Sequence, residues 1–216
     1  MRRATAVLLF VAVLAATPTS ARAKEPPERA RYDSIGLSAS WHTTRDVDRD
    51  TYRKVNWYVS AYLSREGKDK RLWSSLYERV YRCEREKDRD RCKSLWYAFG
   101  RIRDIDDIEL SMDPGLESAS LEGTYRVRRV EKRERVGPVA RIHVTASLAA
   151  SGEVYRSRGS YASWDGKCPR ARYRYEYSYR RARAVVTLDG DVSSTRIRTR
   201  GWMNKEEGFV LYRDCD

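Results

Sequence analysis

The sequence predicts an all-β protein, an antiparallel sandwich or barrel linked by disulfides. A similarity between two parts of the chain adds the hypothesis that the protein consists of two similar β halves. Apolar and polar residues alternate through several long segments, as half-buried strands require. Turn residues such as Asp113-Pro114-Gly115 and Asp189-Gly190 separate these segments at short intervals, without helical patterns between them. Such spacing is typical of a sandwich or barrel and not of a parallel sheet.

The first 23 residues resemble a cleavable secretion signal. Arg2 and Arg3 precede an apolar run over 6–16, and Ala21-Arg22-Ala23 follows as the small-x-small pattern of a cleavage site. We expect cleavage after Ala23 and a secreted, extracellular protein, or a periplasmic one if the host has an outer membrane. The apolar run is shorter than the roughly 20 residues of a membrane-spanning helix, so no transmembrane segment is expected.

The mature chain divides into three predicted regions. Residues 24–33 carry two prolines and mostly charged side chains and are expected to be flexible. An N-terminal β half covers 34–118, and a C-terminal basic β half covers 119–216. Strands are predicted near 34–44, 52–64, 72–83, 92–103, 106–112, 120–131, 139–149, 153–163, 171–187, 194–202 and 208–213.

Two segments carry the clearest alternation. In 55–64 the odd positions are apolar, and in 140–148 the even positions are. Each segment is followed by a glycine turn (Gly67, Gly152), another strand, and a cysteine that opens an aromatic strand. This parallel suggests an internal duplication, although any two antiparallel hairpins share some of these features.

The four cysteines are even in number and lie in the exported part of the chain, which favours disulfides. Three pairings are open. We expect Cys83 to bond Cys92 across a local hairpin and Cys168 to bond Cys215 near the C-terminus. A zinc site is disfavoured because no C-x-x-C spacing occurs and neither histidine lies near a cysteine.

Positive charge is concentrated in the C-terminal half. Residues 24–123 hold 20 basic and 20 acidic side chains, whereas residues 124–216 hold 21 basic and 11 acidic ones. Two segments there place arginines at alternate positions. These candidate binding residues are Arg172, Arg174 and Arg180 in the first segment and Arg196, Arg198 and Arg200 in the second. If the two strands are neighbours, they form a ladder of guanidinium groups for phosphate, sulfate or carboxylate.

The first arginine segment also alternates with tyrosines, namely Tyr173, Tyr175, Tyr177 and Tyr179. This tyrosine face has two interpretations, core packing or a stacking platform for sugars or bases. No specific nucleic-acid motif accompanies it. The predicted partners are therefore an anionic polysaccharide, a cell-surface polymer or a protein.

One acidic loop is a candidate calcium site. Asp46, Asp48 and Asp50 alternate as ligands do at the start of an EF-hand loop. Thr51 then replaces the required glycine, and Trp57 stands where the bidentate glutamate belongs. A solvated turn rich in aspartate explains the pattern better than calcium does, and no other cofactor is predicted.

Catalysis finds little support in the sequence, because no nucleophile, metalloprotease or phosphate-loop motif occurs. His143 falls on the polar face of its strand, and His42 has no partner motif. We therefore favour an exported binding module with a basic surface over an enzyme. The alternative is an extracellular hydrolase that uses dispersed carboxylates, of which Asp104, Asp106, Asp107 and Glu109 form the densest group.

Overall fold

The computed structural model describes residues 29–212 except 88, 103, 166–167 and 191–193. The described part contains nine strands and one short 3-10 helix at Ile105–Asp107. The strands are β1 (Arg29–Asp46), β2 (Thr51–Glu66), β3 (Asp69–Glu84), β4 (Arg91–Ile102), β5 (Ile108–Met112), β6 (Ser118–Glu131), β7 (Glu134–Asp165), β8 (Cys168–Gly190) and β9 (Ser194–Tyr212). The predicted signal peptide lies outside the described residues.

The strands form one antiparallel sheet in the order β4-β3-β2-β1-β9-β8-β7-β6-β5. A second pairing of β6, with β4 at Tyr97–Phe99, joins the first strand of this order to the next-to-last one and closes the sheet into a barrel. The predicted all-β, antiparallel class is therefore confirmed, and of the two predicted architectures the strands form the barrel. β1–β4 and β6–β9 each make a four-stranded meander, joined through the β1–β9 and β4–β6 pairs.

Within the barrel, alternate residues of the long strands point inward and fill the interior. The predicted odd positions of 55–64 include Val59, Ala61 and Leu63, all buried, and the even positions of 140–148 include the buried Val144, Ala146 and Leu148. Other core residues are Leu37, Ala39, Leu76, Ala98, Leu121, Tyr125, Ala182, Ala184, Val186 and Met203. Many are alanine or valine, which suits a barrel whose interior is just wide enough for side chains. This packing defines an inner face, and the intervening residues form the outer face.

Two predicted turns are absent from the structure. The expected strands 139–149 and 153–163 are one continuous strand, β7, because the chain passes Gly152 through a bulge between Ala150 and Val154. Likewise 194–202 and 208–213 are both part of β9. At Gly208 a Cβ atom would collide with the backbone oxygen of Arg174, so this glycine permits close pairing with β8 and does not mark a turn.

A row of side chains crosses the inner face near one end of the barrel. The register sets Trp41, Trp57, Glu78, Ala98 and Arg129 side by side on β1, β2, β3, β4 and β6. The rings of the two tryptophans are stacked, with centroids 6.0 Å apart. Burial raises the pKa of Glu78 to about 7, and the positive charge of Arg129 only partly opposes this effect.

The predicted disulfide Cys83–Cys92 is present and links β3 to β4 at directly paired positions. The predicted Cys168–Cys215 bond lies outside the described residues. Across the described part of the chain, no helix has the length and apolar character needed to span a membrane.

Candidate functional site

The two predicted arginine rows lie on neighbouring strands but on opposite faces of the sheet. β8 and β9 are paired, and Arg180 stands opposite the buried Met203, which assigns Arg180 to the inner face. Arg200 is paired with Arg183 of β8. Arg183 lies between the buried Ala182 and Ala184, so it faces outward, and Arg200 faces outward with it. The ladder predicted from six arginines is thus divided in two.

The inward half of that predicted set does not gather into one site. Arg180 donates hydrogen bonds to the backbone oxygen of Gly152 (2.6 Å) and to the Glu117 carboxylate (2.5 Å). Arg172 and Arg174 are exposed and lie near the far end of β8, opposite Leu211 and Phe209. Six to eight residues of extended strand separate them from Arg180, or about 20 to 27 Å.

Two further arginines, for which the sequence predicted no site, lie beside the outward half. The arginine face consists of Arg181 and Arg183 on β8 and Arg196, Arg198 and Arg200 on β9, all exposed on the outer face. Within the described residues, no carboxylate lies within ion-pair distance of any of the five. Arg183 and Arg200 are directly opposite each other, an arrangement that like-charge repulsion disfavours.

The predicted tyrosine face is half-buried on the outer side of β8. The Tyr173 hydroxyl donates to the Glu66 carboxylate (3.1 Å), and its ring stacks on Tyr161 with centroids 4.3 Å apart. Burial, with this hydrogen bond, raises the pKa of Tyr173 to about 12. Farther along, Tyr179 contacts the ring of Trp202, whose other neighbour is the guanidinium of Arg181. These tyrosines pack against one another while keeping part of their rings exposed.

Two of the three aspartates of the predicted calcium loop, Asp46 and Asp48, have different partners. Asp48 accepts hydrogen bonds from the backbone nitrogens of Asp50 (3.0 Å) and Thr51 (2.7 Å) and from the Thr51 hydroxyl. These bonds, the hydroxyl first, hold the pKa of Asp48 below its usual range. Asp46 is ion-paired with Arg85. Among the described residues no group of three or more acidic, histidine or cysteine side chains is arranged to hold a metal.

Of the remaining predicted candidates, Asp104 and His143 have local hydrogen-bond or ion-pair partners. Asp104 caps the 3-10 helix by accepting from the backbone nitrogen of Asp106. His143 lies between two outer-face neighbours on β6, 3.2 Å from the Thr124 hydroxyl and 3.3 Å from the Glu122 carboxylate. His42 is exposed on β1.

A polar and aromatic surface on β1–β4 was not predicted from the sequence. A cavity of about 770 Å³ opens there on the outer face. Its lining includes Ser60, Ser75, Tyr62, Trp73, Phe99 and Arg101, and also the two cations Lys70 and Arg71. Asn56 lies in the lining of a neighbouring cavity of about 400 Å³, and its buried Oδ1 atom has no hydrogen-bond partner among the described residues. The alternation of 55–64 does assign Tyr58, Ser60 and Tyr62 to one face, but only the register brings Trp73 and Ser75 beside them.

No family model and no curated protein matches this chain. Among solved structures, it is similar to an acetoacetate decarboxylase-like enzyme from Sphingomonas wittichii RW1, with 8% identity, a TM-score of 0.29, and coverage of 93% of this chain and 97% of that one. The translocator domain of the autotransporter NalP from Neisseria meningitidis matches with 8% identity, a TM-score of 0.20, and coverage of 86% and 87%. At TM-scores this low, neither similarity carries an argument about fold or function.

Proposed function

We propose that this protein is an exported binding module that holds anionic polymers on its arginine face. The observation that carries the proposal is that five exposed arginines on two adjacent strands have no acidic ion-pair partner among the residues that the structure describes. A guanidinium group binds carboxylate, sulfate or phosphate through two parallel hydrogen bonds, and strand spacing places these groups within reach of one polymer chain.

The Arg183–Arg200 pair supports this function energetically. Like charges directly opposite on adjacent strands destabilise a sheet, so the free protein is disfavoured by this contact. A bound anion between the two guanidinium groups converts the repulsion into two attractions. Binding also releases small ions from the polymer, which makes the affinity fall steeply with salt.

Heparin chromatography in a salt gradient tests the proposal, using the protein without its first 23 residues. The variant Arg196→Glu, Arg198→Glu, Arg200→Glu reverses three charges of the arginine face. We expect it to elute at much lower salt than the parent, and neither form to bind an uncharged polysaccharide column.

The matched control reverses the same number of charges elsewhere. Arg65, Arg91 and Arg158 are exposed, and each already has an acidic ion-pair partner, namely Asp33, Glu86 and Glu176 respectively. Changing these three to glutamate should leave most of the retention intact. Equal loss in both triple variants would show that net charge alone governs retention, and would refute the arginine face as a site.

A further inference from the structure

The outer face of the barrel carries a row of small hydroxyl side chains between two aromatic rows. Ser75, Ser60 and Ser38 are adjacent on β3, β2 and β1 and are half-buried. The hydroxyls of Ser60 and Ser75 lie 3.0 Å apart in a hydrogen bond, which holds both in place. We call these three residues the floor of a serine trough.

Aromatic residues flank the floor on both sides. Two positions from the serines in one direction along the strands lie the paired Tyr77 and Tyr58. Two positions from them in the opposite direction lie the paired Trp73 and Tyr62. Tyr58 is 41% exposed and Trp73 is 55% exposed, so ring surface is accessible on each side. The two aromatic rows are four residues apart, or about 13 Å, with serine side chains too short to fill the space between them.

Each end of the serine row has an arginine stacked on an aromatic ring. Ser75 is paired with Arg101 of β4, whose guanidinium lies 4.7 Å from the ring centre of Phe99. On the other side, Ser38 is paired with Trp202 of β9, and the Arg181 guanidinium lies 5.2 Å from that ring. The row from Arg101 to Arg181 crosses six strands, a path of about 24 Å along the curved surface of the barrel at the usual strand spacing.

We propose that the serine trough binds a segment of a linear polysaccharide that bears acid groups on some of its sugars. Sugar rings stack on aromatic faces, and their hydroxyls exchange hydrogen bonds with serine and tyrosine hydroxyls. The arginines at the two ends bind carboxylate or sulfate groups. This inference rests on the proposed function and names its ligand, because Arg181 belongs both to the trough and to the arginine face.

The distribution of charge favours a sugar chain over a single-stranded nucleic acid. A nucleic acid carries one phosphate on every residue and requires cations along its whole path. The centre of the trough has none, since the three serines and the four flanking aromatic residues are uncharged. The other cations of this cavity, Lys70 and Arg71, lie beyond the Trp73 wall, so the floor itself has none. Acid groups separated by uncharged sugars match a floor without cations between two arginines.

The test uses isothermal titration with fragments of hyaluronate, a linear polysaccharide in which a carboxylate-bearing sugar alternates with an uncharged one. Trp73→Ala removes an exposed aromatic wall, and Ser60→Phe fills the floor. We expect each variant to bind at least tenfold more weakly than the parent. Phe209→Ala removes an aromatic residue of similar exposure (44%) on the inner face and should bind as the parent does.

The outcomes separate this proposal from the general one. If both trough variants bind hyaluronate as the parent does while the Arg196, Arg198, Arg200 triple variant loses heparin, the trough is refuted and the arginine face stands. If oligothymidylate binds as tightly as hyaluronate and competes with it, the sugar assignment is overturned. Absence of binding to heparin and hyaluronate alike would refute both proposals. Near-ultraviolet circular dichroism shows whether a trough variant is misfolded. If one of them is, the hyaluronate affinity of the other trough variant decides whether the trough is the binding site.

Discussion

Glu78 is an inward-facing carboxylate whose neighbours on adjacent strands are Trp57 and Ala98. Because burial raises its pKa to about 7, the folded protein binds a proton there more tightly than the unfolded chain does. This carboxylate therefore lowers the stability as the pH rises from about 4.5 towards 7, and its full cost is present above that range.

We expect Glu78→Gln to stabilise the protein at pH 8.5 and to leave its stability unchanged at pH 4. The gain at pH 8.5 should be about 1 to 2 kcal/mol, allowing for the partial exposure of the group. Urea unfolding at the two pH values measures it, with the exposed Glu109→Gln as a control. A gain of equal size at both pH values would mean that proton binding at Glu78 is not its source.

The buried pair Ser74 and Tyr125 gives a second expectation at this scale. The Ser74 hydroxyl donates to the backbone oxygen of Ser60 (3.0 Å), so the Tyr125 hydroxyl is the donor in the 2.5 Å bond to Ser74. Ser74→Ala leaves that donor buried without a partner and should cost about 1 to 3 kcal/mol. Tyr125→Phe removes the donor itself and should cost less. Chemical unfolding of both variants checks the order, which the reverse ranking would contradict.

Among the elements, the hairpin of β3 and β4 is held by its disulfide at one end. The bond closes a loop between residues nine apart in sequence, so the chain-entropy model gives a contribution of about 3 kcal/mol. The double variant Cys83→Ala, Cys92→Ala should lose about this amount in urea unfolding. A variant as stable as the parent would show that strand pairing alone restricts this loop.

The strands also show which features of the fold the sequence pattern predicts and which it does not. Alternation identified the buried faces of β2 and the first part of β7, because side chains on a strand point to opposite faces in turn. Glycine, however, has two roles: Gly67 has a positive φ of 59° at the turn between β2 and β3, whereas Gly152 and Gly208 lie within long strands. A turn and a site of close strand approach both select glycine, so the sequence pattern alone does not distinguish them.

For the whole molecule, the candidate site depends on register, which the sequence does not specify. Arg180 and Arg200 both occupy even positions, yet β8 is aligned with β9 so that even positions of one strand meet odd positions of the other. A shift of one residue in register exchanges the two faces of a strand. For this reason the predicted arginine ladder was split, while Arg181 and Arg183 joined the outward half. The serine trough likewise forms from residues of six strands, which the pairing of β1 with β9 brings together.

The pairing of β1 with β9 has a consequence for the order in which the molecule is completed. Arg29 lies beside Leu211, so the first strand obtains its second neighbour only after the last one has been synthesised. Contacts between such distant parts of a chain slow folding, because a long loop must close before any of them forms. A chain that emerges gradually from a ribosome thus leaves one edge of β1 unpaired until β9 has emerged.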